Sequence, residues 1–160
     1  MKRRQSGFSL IELLIVVAII LIIAAIAIPS LLKARMQANE ASAVASIHAV
    51  NTSELSYSSA YPTIGFSAAL ANLGDGGASP CPDSATASCY IDPNLASGSK
   101  SGYTFTYVQD ASSTPSLHYT LNADPNSRGL TGQRSFYSSD ANITRYNPSA
   151  AASSADSALQ

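Results

Sequence analysis

The chain has 160 residues, of which 46% are hydrophobic and 12% are charged, and its formal net charge is −1 at pH 7. This balance, with no basic stripe after the first few residues, argues against a protein that binds nucleic acid through phosphate contacts. The hydrophobic residues are concentrated at the N-terminus, and the roughly 130 residues that follow suffice for one small core.

Residues 8–28 form an apolar segment of 21 residues in which Glu12 is the one charged side chain. A helix of this length spans about 31 Å, close to the thickness of a bilayer core. Lys2, Arg3 and Arg4 precede it, so the positive-inside rule places the N-terminus in the cytoplasm and the remainder outside. A carboxylate near the bilayer centre costs about 2.5–3.5 kcal/mol, so Glu12 needs a role that offsets this cost.

Two ordinary interpretations of this segment do not need the glutamate. The first is a plain membrane anchor. The second is a secretory signal peptide cut after Ala27, because Ala25-Ile26-Ala27 fits the A-x-A pattern. The apolar run is longer than the usual 7–15 residues of such a signal, and an ordinary signal gains nothing from Glu12.

A third interpretation comes from a resemblance. MKRRQSG followed by FSLIELLIVVAIILIIAAIAIP resembles the class III signal of type IV pilins and of type II secretion pseudopilins. The points of likeness are a short basic leader that ends in Gly7, Phe8 directly after it, Glu12 as the fifth residue after that junction, and Pro29 as the 22nd. The likeness is close over about the first 30 residues and covers the remainder only as a general layout.

The resemblance implies that a prepilin peptidase cuts between Gly7 and Phe8 and removes the leader, residues 1–7. Phe8 then becomes the N-methylated N-terminus, and residues 8–28 remain as a transmembrane and assembly helix. The resemblance further implies that Glu12 pairs with the cationic N-terminus of a neighbouring subunit, so that two charges poorly solvated in lipid satisfy each other. Glu12 is then an assembly residue.

Residues 29–61 are expected to continue the helix as a spine. Pro29 removes one backbone donor and should kink or loosen the helix, and Pro62 predicts its end at Tyr61. Four residues have spacings compatible with one apolar face: Met36, Val44, Ile47 and Leu55.

Residues 62–102 form a long connection rich in Gly, Pro and Ser, with FSAALANLG as one short helix. Cys81 and Cys89 enclose seven residues of it. Outside the cytoplasm these cysteines favour a disulfide, with two free thiols or a metal site as alternatives. No histidine lies near them in the sequence, which disfavours a metal.

The period changes at Tyr103, where short β-branched and aromatic runs predict about four antiparallel strands within residues 103–147: YTFTYVQ, LHYTLNA, RSFYSS and NITRYN. Residues 148–160 are small and polar and predict a flexible tail. The expected fold is α+β, with the long N-terminal spine helix packed on this small sheet, as in pilins.

The sequence carries no signature of catalysis, of a cofactor or of a metal site. His48 and His118 are isolated, and the aspartates are scattered over predicted turns without a clustered acidic loop for calcium. Asn51-Thr52-Ser53 and Asn142-Ile143-Thr144 match the N-glycosylation pattern, which often arises by chance.

The resemblance therefore implies a non-enzymatic subunit that forms a helical homopolymer for adhesion, motility or related surface functions. The resemblance implies an inner-membrane protein before assembly, then an extracellular or periplasmic filament, with an inner-membrane platform and a cytoplasmic motor as partners. A pseudopilin of a type II secretion piston is an alternative, as is a secreted or anchored domain that never polymerises. Both cysteines precede the strands, unlike those of many pilins, so the subtype stays open.

Overall fold

The structure is a computed structural model that describes residues 8–78 and 80–159. The chain divides into two compact units, residues 1–35 and residues 36–160. Helix α1 runs from Leu10 to Ala60 and supplies part of both. The predicted leader, residues 1–7, and with it Gly7, lies outside the described residues.

In the first unit, residues 8–28 carry large apolar side chains that are 46% to 79% exposed. The described part of this unit is one stretch of helix, so its own fold gives these side chains nothing to pack on. The helix is apolar and long enough to cross a membrane. A helix that is hydrophobic on every face is suited to a bilayer or to the interior of a helical bundle.

The second unit contains the remaining elements, which follow one another as a short 3₁₀ turn, a second helix and six strands: the 3₁₀ turn Leu70–Leu73, α2 Pro93–Ala96, β1 Ser99–Lys100, β2 Tyr103–Gln109, β3 Tyr119–Pro125, β4 Ser135–Ser139, β5 Arg145–Asn147 and β6 Ser157–Ala158. The strands form one sheet in the order β1-β2-β3-β4-β5-β6, and every neighbouring pair is antiparallel. The α+β class predicted from the sequence is confirmed.

The sheet has six strands where the sequence predicted about four. The four predicted runs correspond to β2, β3, β4 and β5. The other two strands, β1 and β6, are two residues long and show no alternation of polar and apolar residues. Both lie at the edges of the sheet, and β6 pairs with β5 through Arg145–Ala158 and Tyr146–Ser157. Part of the segment predicted as a flexible tail is therefore paired with the sheet.

The core lies between the later part of α1 and one face of the sheet. Tyr103 and Phe105 of β2 are buried, while Thr104 and Thr106 on the opposite face are exposed, as the alternation predicts. The core of buried apolar side chains is completed from the helix, the connection and the other strands: Ala43, Ile47, Val50, Tyr57, Leu70, Leu73, Ile91, Leu95, Tyr119, Leu121, Ala123 and Phe136.

The predicted apolar face of the spine is partly wrong. Ile47 is fully buried, but Leu55 is 51% exposed. The buried face of α1 instead follows positions 40, 43, 47, 50, 54 and 57, at helical spacings of three and four. Leu55 is one position, or about 100°, away from this face, and Glu54 takes the buried place.

Smaller predictions on local structure also differ. α1 ends at Ala60, one residue before the predicted end, whereas the short helix predicted within FSAALANLG is present as a 3₁₀ helix at Leu70–Leu73. His118 lies just before β3 and not within a strand.

Candidate assembly segment and head anchors

We call residues 8–28 the assembly segment. Its helix begins at Leu10, and Ser9 occupies the position just before it. The backbone N–H of Ser9 donates to Oε2 of Glu12 over 3.0 Å, and the N–H of Leu13 donates to the carbonyl of Ser9 over 3.2 Å. This is the glutamate half of a capping box, a Ser-x-x-Glu pattern that satisfies backbone donors where the helix starts.

Sequence reasoning missed this capping role of Glu12, although Ser9-x-x-Glu12 is visible in the sequence. The carboxylate has a partner within its own chain, one residue before the helix. Glu12 is four residues after Phe8, which precedes the helix and is 76% exposed. The structure thus leaves the segment's first residue accessible at the same end of the helix as the one charged side chain among residues 8–28.

Pro29 lies inside α1, which continues on both sides of it. Its missing N–H leaves the carbonyl four residues earlier, that of Ala25, without the usual helical donor. The predicted kink or loosening at Pro29 stays a prediction.

In the second unit, which we call the head, α1 is held by polar as well as apolar contacts. Asn51 is buried, its Nδ2 donates to Oγ of Ser138 over 2.8 Å, and its Oδ1 accepts from the hydroxyl of Tyr119 over 2.9 Å. Because both ends of the amide are bonded to neighbouring strands, Asn51 fixes the position of the helix over the sheet.

Glu40 is the first polar anchor of α1 in the head. Its Oε1 accepts from the backbone N–H groups of Gln133 and Arg134 over 2.8 and 3.1 Å, and its Oε2 accepts from Nε of Arg134 over 2.7 Å. The Arg134 guanidinium also lies over the rings of Phe136 and Tyr146, 5.5 and 5.6 Å from their centres. Burial opposes ionisation of Glu40, but these donors outweigh it and lower its pKa below the ordinary value.

Glu54 is the second anchor and has the opposite electrostatics. It is fully buried, and its carboxylate accepts from the backbone N–H of Ser67 over 2.9 Å and from Oγ of Ser67 over 2.5 Å. The hydroxyl of Tyr107 donates to the Ser67 carbonyl over 3.0 Å. Burial raises the pKa of Glu54, and the hydrogen bonds from Ser67 oppose that rise only in part.

Cys81 and Cys89 form a disulfide, as predicted. The two cysteines are eight residues apart in sequence, and their bond closes a loop within the connection. Next to it, the backbone N–H of Cys89 donates to the carbonyl of Gly74 over 3.0 Å, and the hydroxyl of Tyr57 in α1 donates to the carbonyl of Ala85 inside the loop over 2.7 Å. The disulfide therefore constrains a loop that also contacts the spine.

The two histidines have separate surroundings in the head. His48 is exposed on α1, and Nδ1 of His118 lies 3.0 Å from Oδ2 of Asp140. Among residues 8–78 and 80–159, no group of three or more His, Cys, Asp or Glu side chains is placed to hold a metal ion.

Comparison with known proteins bears on the N-terminal segment. The model of the prokaryotic N-terminal methylation motif matches residues 2–28. Over 38 residues the chain is 63% identical to the type IV wide pilus major component PilA4 of Thermus thermophilus, an alignment that covers 24% of this chain and 29% of that protein. No solved structure matches the chain.

An apolar N-terminal helix followed by an antiparallel sheet defines a pilin-like class of protein, and the methylation motif lies at the helix where that class carries it. The motif and the relative support the type IV pilin family, so the resemblance predicted from the sequence is confirmed. The chain spans less than a third of the length of the curated relative it matches.

Proposed function

We propose that this protein is a structural subunit of a type IV pilus-like filament and polymerises through its assembly segment. The observation that carries the proposal is an exposed apolar helix that coincides with a prepilin-type methylation motif. Its 15 large apolar side chains from Phe8 to Ile28 need a bilayer before assembly and a bundle of like helices after it. A relative that is 63% identical over 38 residues is by its name the major component of a wide pilus, which favours a pilus over a secretion piston.

The subunit would be processed before it assembles. A prepilin peptidase would cut between Gly7 and Phe8, and methylation of Phe8 would follow. The subunit would wait in the inner membrane with its N-terminus in the cytoplasm until a membrane platform and a cytoplasmic motor add it to the fibre. Contacts between non-identical surfaces of successive subunits would then produce an open helix, with a rotation between subunits that does not close into a ring.

Glu12 would set the axial position of each incoming subunit. In the free subunit its carboxylate accepts from the Ser9 N–H. A carboxylate has room for further donors, so Glu12 can add the cationic N-terminus of a neighbouring subunit without breaking the cap. In a helical bundle of low dielectric constant that charge pair would be strong, and a slipped register would leave both charges unpaired.

The first experiment is the intact mass and N-terminal sequence of the protein recovered from its own cells, with electron microscopy of sheared filaments. A methylated Phe8 start in protein recovered from filaments supports the proposal. A start at Ile28 would identify an ordinary signal peptide and a secreted domain, and an uncut leader would identify a membrane anchor; either result would overturn it. Short filaments restricted to the periplasm would favour the pseudopilin alternative.

A further inference from the structure

The β4–β5 turn of the head, residues 140–144, has the sequence Asp-Ala-Asn-Ile-Thr. Asn142 is exposed in it with a φ of 56°, a left-handed conformation that asparagine tolerates better than most residues. Its backbone N–H donates to the carbonyl of Ser139 over 2.8 Å. Its side-chain amide has one weak contact within the described chain, to the carbonyl of Asp140 at 3.4 Å, so the amide nitrogen is available at the surface.

Thr144 completes the Asn-x-Thr pattern and is placed in an unusual way. It is 6% exposed, and within residues 8–78 and 80–159 its Oγ1 has no hydrogen-bond partner. A buried hydroxyl without a partner destabilises a fold, and valine has nearly the same shape without that cost. Hydrogen bonding within the described head therefore gives no reason for threonine instead of valine at this position.

The other match to the N-glycosylation pattern, Asn51-Thr52-Ser53, lies in a very different environment. Asn51 lies in the last third of α1, is 3% exposed, and has both ends of its amide bonded to Ser138 and Tyr119. A glycan on Asn51 is incompatible with this packing.

We propose that Asn142 is an N-glycosylation site and that its donor is an oligosaccharide carried on a polyprenyl diphosphate. The inference rests on the proposed function in one respect, that the head lies outside the cytoplasm. In the transfer the amide nitrogen of Asn142 bonds to the anomeric carbon of the sugar, and the bond from that carbon to the diphosphate oxygen breaks. The polyprenyl diphosphate leaves, and the displaced amide proton passes to a basic group of the transferase, with no change of oxidation state.

Transfer takes place before the hairpin closes or when it opens locally, because the folded head hides the Thr144 hydroxyl. β5 has three residues, which pair with three residues of β4 and two of β6, so opening this corner of the sheet breaks a short stretch of pairing. Once the hairpin closes, the modified Asn142 projects from the turn beside Ile143, which is 45% exposed, and the glycan shields that apolar side chain from solvent.

The test uses the full-length protein from its own cells. Trypsin cuts after Arg134 and Arg145 and releases the peptide of residues 135–145, whose mass shows an attached sugar and whose fragmentation places it. We expect the sugar on Asn142 in wild type, its complete loss in Asn142→Gln and Thr144→Val, and its retention in Thr144→Ser. Thr144→Val should also keep or raise the melting temperature, since it removes a buried hydroxyl.

An unmodified peptide in wild type, a sugar mapped to Ser139 or Thr144, or a sugar that persists in Thr144→Val would each overturn the inference. The N-terminus of the same preparation separates this failure from failure of the proposed function. A peptide without sugar, found together with a methylated Phe8 and intact filaments, would contradict the glycosylation of Asn142 alone. An uncut leader or a start at Ile28 would contradict the proposed function as a filament subunit.

Discussion

At the scale of single residues, three glutamates of one helix have three different environments. Glu12 accepts a backbone N–H at the start of α1, Glu40 accepts an arginine and two backbone N–H groups, and Glu54 is enclosed with a serine. The lowered pKa of Glu40 and the raised pKa of Glu54 follow from these partners. Each carboxylate therefore gives a different prediction.

Two substitutions separate the charge of Glu12 from its capping role. Glu12→Gln keeps an acceptor for the Ser9 N–H, since glutamine also serves in capping boxes, but it removes the charge. We expect both Glu12→Gln and Glu12→Ala to insert into the membrane at least as well as wild type and to form few or no filaments. Sheared-filament yield and membrane fractionation measure the two properties. Normal filament yield from Glu12→Gln would show that the charge has no part in assembly.

Glu40→Gln should destabilise the head in a pH-dependent way. Because the folded-state pKa of Glu40 is lowered, its contribution is present above the unfolded pKa near 4.5 and is lost as the pH falls through the folded pKa. We expect the variant to lose about 1–3 kcal/mol at pH 7 and to approach wild type at low pH. Denaturant titrations of detergent-solubilised protein from pH 7 down to about 3 measure this.

A matched control for Glu40 is the exposed pair of Lys100 with Asp92, at 2.8 Å and with side chains 34% and 41% exposed. Lys100→Met should change the stability by no more than about 1 kcal/mol at any pH, as exposed ion pairs do. An equal loss in Lys100→Met and Glu40→Gln would contradict the anchor role of Glu40.

Glu54→Gln should have the opposite pH dependence. The raised folded-state pKa of Glu54 means that the folded protein holds a proton more tightly than the unfolded chain. The wild type therefore loses stability as the pH rises from about 4.5 through the folded pKa, while glutamine does not titrate. The stability of Glu54→Gln relative to wild type should improve from pH 4 to pH 7, and parallel curves would refute the assigned pKa direction.

At the scale of elements, the sequence predicts those that have a clear period and misses those that do not. The alternation of Tyr103, Thr104 and Phe105 identifies β2, whereas the two-residue strands β1 and β6 exist only because a neighbouring strand pairs with them. The sequence did not predict the buried face of α1, because Glu54 and Asn51 on that face are polar. Apolar spacing alone selects the exposed Leu55 instead. Their partners, Ser67 and Ser138, are distant in sequence and become neighbours only in the fold.

The disulfide loop gives a prediction at this scale. Cys81→Ser with Cys89→Ser should cost about 2–3 kcal/mol in the chain-entropy model for a loop this short. Because the loop contacts α1 only through Tyr57 to Ala85 among the bonds described above, the helix and sheet should keep their structure. Thermal unfolding followed by circular dichroism measures the loss, and an unfolded double variant would mean that the disulfide is required for the whole head.

At the scale of the whole molecule, the two units have opposite relations to solvent. Every residue of the hydrophobic core belongs to residues 43–136, whereas the large apolar side chains of residues 8–32 are exposed. The head therefore has an apolar core of its own, and the assembly segment has none. A chain built this way has a folded domain that does not need the filament and a helix that has no stable place in water.

A chain that begins at Met36 should therefore be a soluble, folded monomer. It keeps the core, the disulfide and the anchors at Glu40 and Glu54, and it lacks the exposed apolar helix. We expect one monomeric species by light scattering, a cooperative thermal transition and no filaments. Phe136→Ala in the same chain should cost about 3–5 kcal/mol, because Phe136 is fully buried. Aggregation or a non-cooperative transition of the parent chain would show that the head needs the N-terminal helix to fold.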